Sequence, residues 1–177
     1  MRRMLGWMLL SSGVLFIGTA HSTDAKDFKG VTLASGSFED LNLWNHWFLG
    51  PLTGPGGEHH EQRRLPFWYA HLRTHGTSDL YVQDNTWQAG GSTGWHTHPG
   101  ASLIIVTEGT VTAYEGDDPQ CAPRSYTVGQ TFVDSGGGHV HLIRNETKVI
   151  AKTIAVQLVP HGPMRRIDAP APGNCPF

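Results

Sequence analysis

The sequence lacks the features that define several common protein classes. Only two of its 177 residues are cysteine, and its 13 Lys and Arg nearly balance its 15 Asp and Glu, for a net charge of −2. Because nucleic-acid-binding proteins usually carry a basic surface, we expect no nucleic-acid partner. The sequence also shows no internal repeats and no helical periodicity. These absences favour a single compact domain built from β-strands.

Long hydrophobic runs are missing too. The main apolar stretch, residues 4–18, is shorter than the about 20 residues that a comfortable membrane span needs. Arg2 and Arg3 precede it, and small residues at 18–20 follow it, which is the pattern of a secretory signal peptide. We therefore predict a signal peptide over residues 1–20, with cleavage as late as residue 25 as an alternative, and export to the periplasm or medium. An uncleaved N-terminal anchor is the other interpretation; after cleavage we expect no stable membrane span.

The two cysteines, Cys121 and Cys175, lie in separate proline-rich segments and have no Cys-x-x-Cys spacing. An even number of cysteines in an exported chain favours a disulfide. We predict that this bond ties the C-terminal tail to a loop, with two free thiols as the alternative.

Short apolar runs separated by turn signals are the main pattern of the remaining chain, which contains 22 glycines. Such runs are typical of an antiparallel sandwich or barrel, and we assign one domain to residues 26–177. The predicted strands are 31–34, 67–74, 80–88, 102–107, 110–114, 130–133, 140–144 and 149–159. Residues 103–106 are apolar on both faces, as in a central strand. We interpret residues 43–66 as a loop excursion, either a lid or an apolar flap, and residues 165–177 as an extended tail.

Three histidines are the strongest candidates for chemistry. His96 and His98 stand two residues apart, so in a strand their side chains share a face, whereas Trp95 faces the other way and is expected to pack outside the barrel. His141 follows about forty residues later, after three glycines. Three imidazoles suit Zn, Cu, Fe or Ni and leave coordination positions open. We therefore predict a metal site at His96, His98 and His141.

These residues also carry a resemblance to the cupin family. The first cupin motif is matched by Gly90, His96, His98 and Gly109, and the second by Gly129, Gly138, His141 and Asn145. The second motif has one additional residue in its glycine run and Ser135 at the usual proline position. The resemblance implies an all-β fold, an antiparallel jelly-roll β-barrel of one domain. It also implies a homodimer formed through edge strands. Asn145 also begins a glycosylation sequon, which we discount because the motif accounts for this residue.

Ser102 is the main departure from the cupin pattern, because it stands where cupins usually have a metal-binding Glu. Glu108 lies at a hairpin turn and does not replace it. The resemblance is therefore to three-histidine cupins, in which neutral ligands leave the full charge on a divalent ion and favour a small anionic, chelating molecule. We place His139, Ser102 and Gln83 beside the site or at the barrel rim, with His139 as an alternative ligand.

Several functions fit this set of residues. Three-histidine cupins include thiol dioxygenases and β-diketone-cleaving dioxygenases, so the resemblance implies an oxidoreductase of dioxygenase type using one divalent ion, with Fe(II) favoured for an enzyme. An isomerase or lyase that uses the metal as a Lewis acid is an alternative. A non-enzymatic module that binds a metal or a small ligand, with Zn, Cu, Mn or Ni, is another. The last alternative is a barrel in which the metal only stabilises the fold.

Overall fold

The computed structural model describes residues 22–48 and 67–177, and no helix occurs among them. The predicted signal peptide, residues 1–20, lies outside the described residues. No helix of the described part is long and apolar enough to cross a membrane. The strands are β1 (Lys26–Phe38), β2 (Asn42–Phe48), β3 (Phe67–Arg73), β4 (Ser78–Ser92), β5 (His96–Thr97), β6 (Ser102–Glu108), β7 (Thr110–Glu115), β8 (Arg124–Thr127), β9 (Thr131–Asp134), β10 (His141–Arg144), β11 (Ala151–Pro160) and β12 (Ile167–Asp168).

Ten of these strands form one antiparallel sheet that curls into a nearly closed barrel. Its main path runs β12-β5-β10-β4-β11-β6-β9, while β1 pairs with β4, and β7 joins β10 to β8. The predicted all-β, antiparallel, single-domain fold is thus confirmed. Strand β4 is the longest element at 15 residues and pairs with β1, β10 and β11, so it links both sides of the barrel.

The predicted loop over residues 43–66 is wrong for its first six residues. Strand β2 pairs in register with β3, and Trp44 stacks on His71 with ring centroids 4.0 Å apart. Aromatic side chains favour strands, and such cross-strand contacts outweigh the turn signals further along. Those signals, the prolines and glycines, belong to residues 49–66, which lie outside the described residues.

The apolar run of β6 also differs from expectation. This strand has partners on both edges, β11 and β9, but only one of its faces is buried. Leu103 and Ile105 are 60% and 48% exposed, and the neighbouring Val133 of β9 is 63% exposed. The apolar run therefore predicted the strand correctly, but the expectation that both of its faces are buried is wrong.

The core consists of two clusters on opposite sides of the histidine-bearing strands. The cluster inside the barrel contains Trp87, Val106, Val111, Ala113, Ile143 and Ala151. Trp95 is 1% exposed and belongs to the second cluster, with Tyr114, Leu142 and Ala169. The predicted disulfide between Cys121 and Cys175 is confirmed and packs against this second cluster. Within the predicted tail, Ile167–Asp168 pairs with β5 as β12, and Pro170 forms an isolated bridge with Ser22.

Asn145 holds the end of β10 against its neighbours. Its side chain is fully buried, its Nδ2 donates to the carbonyl oxygens of Gln88 (3.1 Å) and Val149 (2.6 Å), and its Oδ1 accepts from the backbone N–H of Thr147 (3.0 Å). These bonds use both sides of the amide group. A buried amide in this position is inaccessible to a glycan in the folded chain.

We expect Asn145→Asp to destabilise the fold by at least about 3 kcal/mol, because it places a buried carboxylate against carbonyl oxygens. Urea denaturation measures the change in the free energy of unfolding. The exposed Asn42→Asp is the matched control and should change it by less than about 0.5 kcal/mol. Equal effects of the two substitutions would contradict the role assigned to Asn145.

Candidate metal centre

The three predicted histidines come together at one end of the barrel. His96 of β5 is paired directly with His141 of β10, and His98 follows two residues after His96. Their ring centroids are 4.3 Å (His96 to His141), 4.9 Å (His96 to His98) and 5.5 Å (His98 to His141) apart. All three are at most 6% exposed. The backbone pairing thus brings together residues that are more than forty positions apart.

Backbone carbonyls fix the orientation of two of the rings. His96 Nδ1 lies 2.9 Å from the carbonyl oxygen of Gly94, and His98 Nδ1 lies 2.7 Å from that of Arg165. Since a carbonyl oxygen can only accept, each Nδ1 must carry the hydrogen. The lone pair of each ring is therefore on Nε2. This is how metal-binding histidines are usually held by a hydrogen bond at the other nitrogen.

The third histidine provides the test of whether a metal fits. His141 Nδ1 is buried and has no hydrogen-bond partner, which is uncommon for a buried polar atom. One ligand atom from each of the three rings lies within 4.8 Å of the others. Imidazole nitrogens, unlike hydroxyls or amides, suit Zn, Cu, Fe and Ni. The donor set and its spacing therefore fit a divalent metal ion.

Burial keeps the three rings uncharged near neutral pH. It lowers the pKa of His96 well below its usual 6.5 and lowers that of His98 as well. It also lowers the pKa of His141 to about 4, although the nearby Asp134 carboxylate opposes this effect. Metal binding requires neutral imidazole, so the lowered values favour the form that binds a metal ion.

Asp134 is a site residue that the sequence analysis did not identify. Its carboxylate is buried, with Oδ2 3.7 Å from His98 Nε2 and Oδ1 3.5 Å from His141 Nδ1. A signal was present in β9, where Phe132 and Asp134 share one face and Val133 the other. The sequence analysis therefore omitted a carboxylate that lies beside two of the three histidines.

Ser102 and Gln83 both line the cavity next to the histidines. Ser102 is 2% exposed; its hydroxyl donates to Asp134 Oδ2 (3.3 Å) and accepts from Gln157 Nε2 (2.7 Å). Gln83 is also buried, and its Nε2 donates to Thr32 Oγ1 (2.7 Å). Each of these side chains thus forms a hydrogen bond with another polar side chain.

His139 lies close to Asp134 and His141 but is not one of the residues that line the cavity. Its ring is partly exposed, with Nε2 3.3 Å from Asp117 Oδ1 and Nδ1 3.6 Å from Glu115 Oε2. It also forms a second group of candidate ligands together with Asp134 and His141. The carboxylates of Asp117 and Glu115 thus lie against the His139 ring, next to the three-histidine cluster.

A cavity of about 60 Å³ opens above the histidines. Its apolar wall includes Phe28, Ile104 and Phe132, and Arg165 is its one cationic lining residue among the described residues. Arg165 Nη1 donates to Gln157 Oε1 at 2.6 Å. The cavity therefore has room for a small molecule.

No protein-family model matches the chain, and no curated protein matches it. Among solved structures, the chain is similar to a cupin superfamily protein from Desulfitobacterium hafniense, with 15% identity over 45% of this chain and 67% of that one (TM-score 0.40). It is also similar to an oxalate oxidase, with 22% identity over 50% of this chain and 45% of that one (TM-score 0.42). A third is a conserved protein with a double-stranded β-helix domain from Klebsiella pneumoniae, with 17% identity over 51% and 70% (TM-score 0.43).

Proposed function

We propose that the chain binds one divalent metal ion through His96, His98 and His141 and is an oxidoreductase of dioxygenase type acting on a small anionic, chelating substrate. The observation that carries the proposal is the buried cluster of three neutral imidazoles at the base of a small cavity. When bound, the ion would supply Lewis-acid or redox chemistry to a chelating substrate. Fe(II) is the ion that we favour for this activity.

The residues around the cavity support an anionic substrate. The guanidinium of Arg165 lines the cavity and provides a fixed positive charge with planar donors suited to a carboxylate. The apolar side chains of Phe28, Ile104 and Phe132 form another part of the cavity wall and disfavour water there. A small molecule with one charged end would therefore be oriented with that end toward Arg165 or the ion. The size of the cavity suits a small substrate.

The disulfide between Cys121 and Cys175 favours a second candidate function. Disulfides persist mainly outside the cytoplasm, and we propose that the chain is exported. In the cell envelope Fe(II) is scarce, so Zn or Cu would be the more available ions. The second candidate is therefore a non-enzymatic module that binds such a metal or a small anion. We also propose that the chain forms a homodimer through its edge strands.

Metal analysis followed by oxygen uptake separates these functions. The protein is purified from its native compartment without added metal, and its ion content is measured by mass spectrometry. The protein is then loaded anaerobically with Fe(II), and oxygen consumption is followed with a dicarboxylate, a 2-hydroxycarboxylate, a β-diketonate and an aminothiolate. We expect about one ion per chain and uptake above that of free Fe(II) with at least one compound. Zinc as the native ion, with no uptake for any compound, would refute the dioxygenase proposal.

A further inference from the structure

We propose that Asp134 is a fourth protein ligand of the metal ion, in place of the Glu expected at the position of Ser102. The proposal rests on the proposed metal-binding function. Asp134 is the last residue of β9 and is paired directly with Ser102 of β6. Its carboxylate therefore enters the cavity beside the place from which a longer side chain at position 102 would extend.

The distances from Asp134 fit shared coordination better than hydrogen bonding. Its oxygens lie 3.7 Å from His98 Nε2 and 3.5 Å from His141 Nδ1. Direct hydrogen bonds between nitrogen and oxygen are shorter, at about 2.7–3.2 Å. Two donor atoms bound to one tetrahedral ion, at about 2.1 Å each, are about 3.4 Å apart. One oxygen of the carboxylate thus lies at ligand spacing from His98 Nε2, and the other oxygen from His141 Nδ1.

Neighbouring groups orient this carboxylate. The backbone N–H of Gly136 donates to Oδ1 (2.9 Å), and the hydroxyl of Ser102 donates to Oδ2 (3.3 Å). Gly136 has a φ of 63°, and a Cβ there would lie 2.1 Å from the carbonyl oxygen of Gly100, so this turn requires glycine. Ligating carboxylates are commonly held by such outer hydrogen bonds. Ser102 is then a positioning residue for the ligand.

The charge of Asp134 gives a further reason for a cation. The carboxylate is only 6% exposed, and the basic groups that the described residues place within 4 Å of it are the imidazoles of His98 and His141, which are uncharged near neutral pH. A buried charge without a compensating one is strongly unfavourable. A divalent ion between the carboxylate and the imidazoles would compensate this charge and leave one net positive charge in the site. The proposed site is thus three imidazoles and one carboxylate, drawn from three strands and one adjoining turn.

Zinc and cobalt binding by four proteins tests the proposal. Wild type, Asp134→Asn, Ser102→Ala and His139→Gln are titrated in competition with a chromophoric chelator. We expect Asp134→Asn to weaken zinc binding by at least about 100-fold and to change the visible spectrum of bound Co(II). We expect the other two substitutions to weaken it by about tenfold or less. Thermal melting of each metal-free variant identifies any change caused by misfolding.

A rescue experiment separates ligation from mere orientation of His141. The double variant Ser102→Glu/Asp134→Ala restores a carboxylate from the neighbouring strand and should bind zinc with an affinity within about tenfold of that of wild type.

A crystal structure of the zinc-loaded wild type should place an Asp134 oxygen at about 2.0–2.2 Å from the ion. A carboxylate hydrogen-bonded to His141 Nδ1 and clear of the ion would overturn the proposal. Zinc affinity equal to that of wild type in Asp134→Asn would also overturn it. If His98→Ala still failed to bind the metal, the proposed metal-binding function would nevertheless stand. Absence of metal binding by the wild type would instead refute the proposed function itself.

Discussion

His98→Ala and His141→Ala should each lower the metal content from about one ion per chain to nearly zero. Each ring is buried, and its backbone places it within ligand distance of the other two, so no other imidazole of the cluster can take its place. Metal content is measured by mass spectrometry after incubation with zinc and gel filtration. The control is His75→Ala, because the side chain of His75 is fully exposed. That variant should keep its ion.

Thermal melting provides an independent measurement of the same prediction. A ligand that binds only the folded state raises the free energy of unfolding by about 2.7 kcal/mol at a concentration of 100 times its Kd. Zinc should therefore raise the melting temperature of wild type and of His75→Ala, but not that of His98→Ala or His141→Ala. A full complement of zinc in either of these two variants would show that the ion binds elsewhere. Full zinc content in His98→Ala would make the group of Asp134, His139 and His141 the first alternative, whereas full zinc content in His141→Ala would exclude that group as well.

The positions of the three histidines could be predicted because each depends on local sequence. The two-residue spacing of His96 and His98 places both on one face, and glycine-rich turns precede each ligand segment. Eight predicted strands correspond to strands in the structure for the same reason, since alternation and turn residues are local signals. The disulfide could also be predicted, because the sequence contains only two cysteines that could form it.

Asp134 could not be placed from the sequence because its role depends on register. Pairing of Ser102 with Asp134 brings the carboxylate into the cavity, whereas a shift by one residue would turn it outward. The backbone carbonyl of Arg165, which orients His98, is equally non-local, since it lies 67 residues further along the chain. Local patterns therefore predicted the ligand rings, and strand register determined which groups surround them.

The C-terminal tail connects the disulfide to the candidate metal centre. Residue 165 contributes the carbonyl that holds His98, and β12 pairs Asp168 with His96. The bond between Cys121 and Cys175 fastens the end of this tail to the loop after β7. It also packs against the cluster that contains Trp95, the residue directly before His96. Loss of the disulfide should therefore affect both the stability of the fold and the histidine site.

Cys121→Ser/Cys175→Ser should lower the free energy of unfolding by about 4 kcal/mol, since the bond closes a loop spanning 54 residues. For a chain of this size we expect a melting temperature lower by about 8–16 °C. Calorimetry of the metal-free protein measures this change, and wild type treated with a thiol reductant should match the double variant. Zinc affinity should also fall, because the tail that orients His98 is less constrained. A change in melting temperature below about 3 °C would show that packing against Trp95 and Tyr114 holds the tail without the bond.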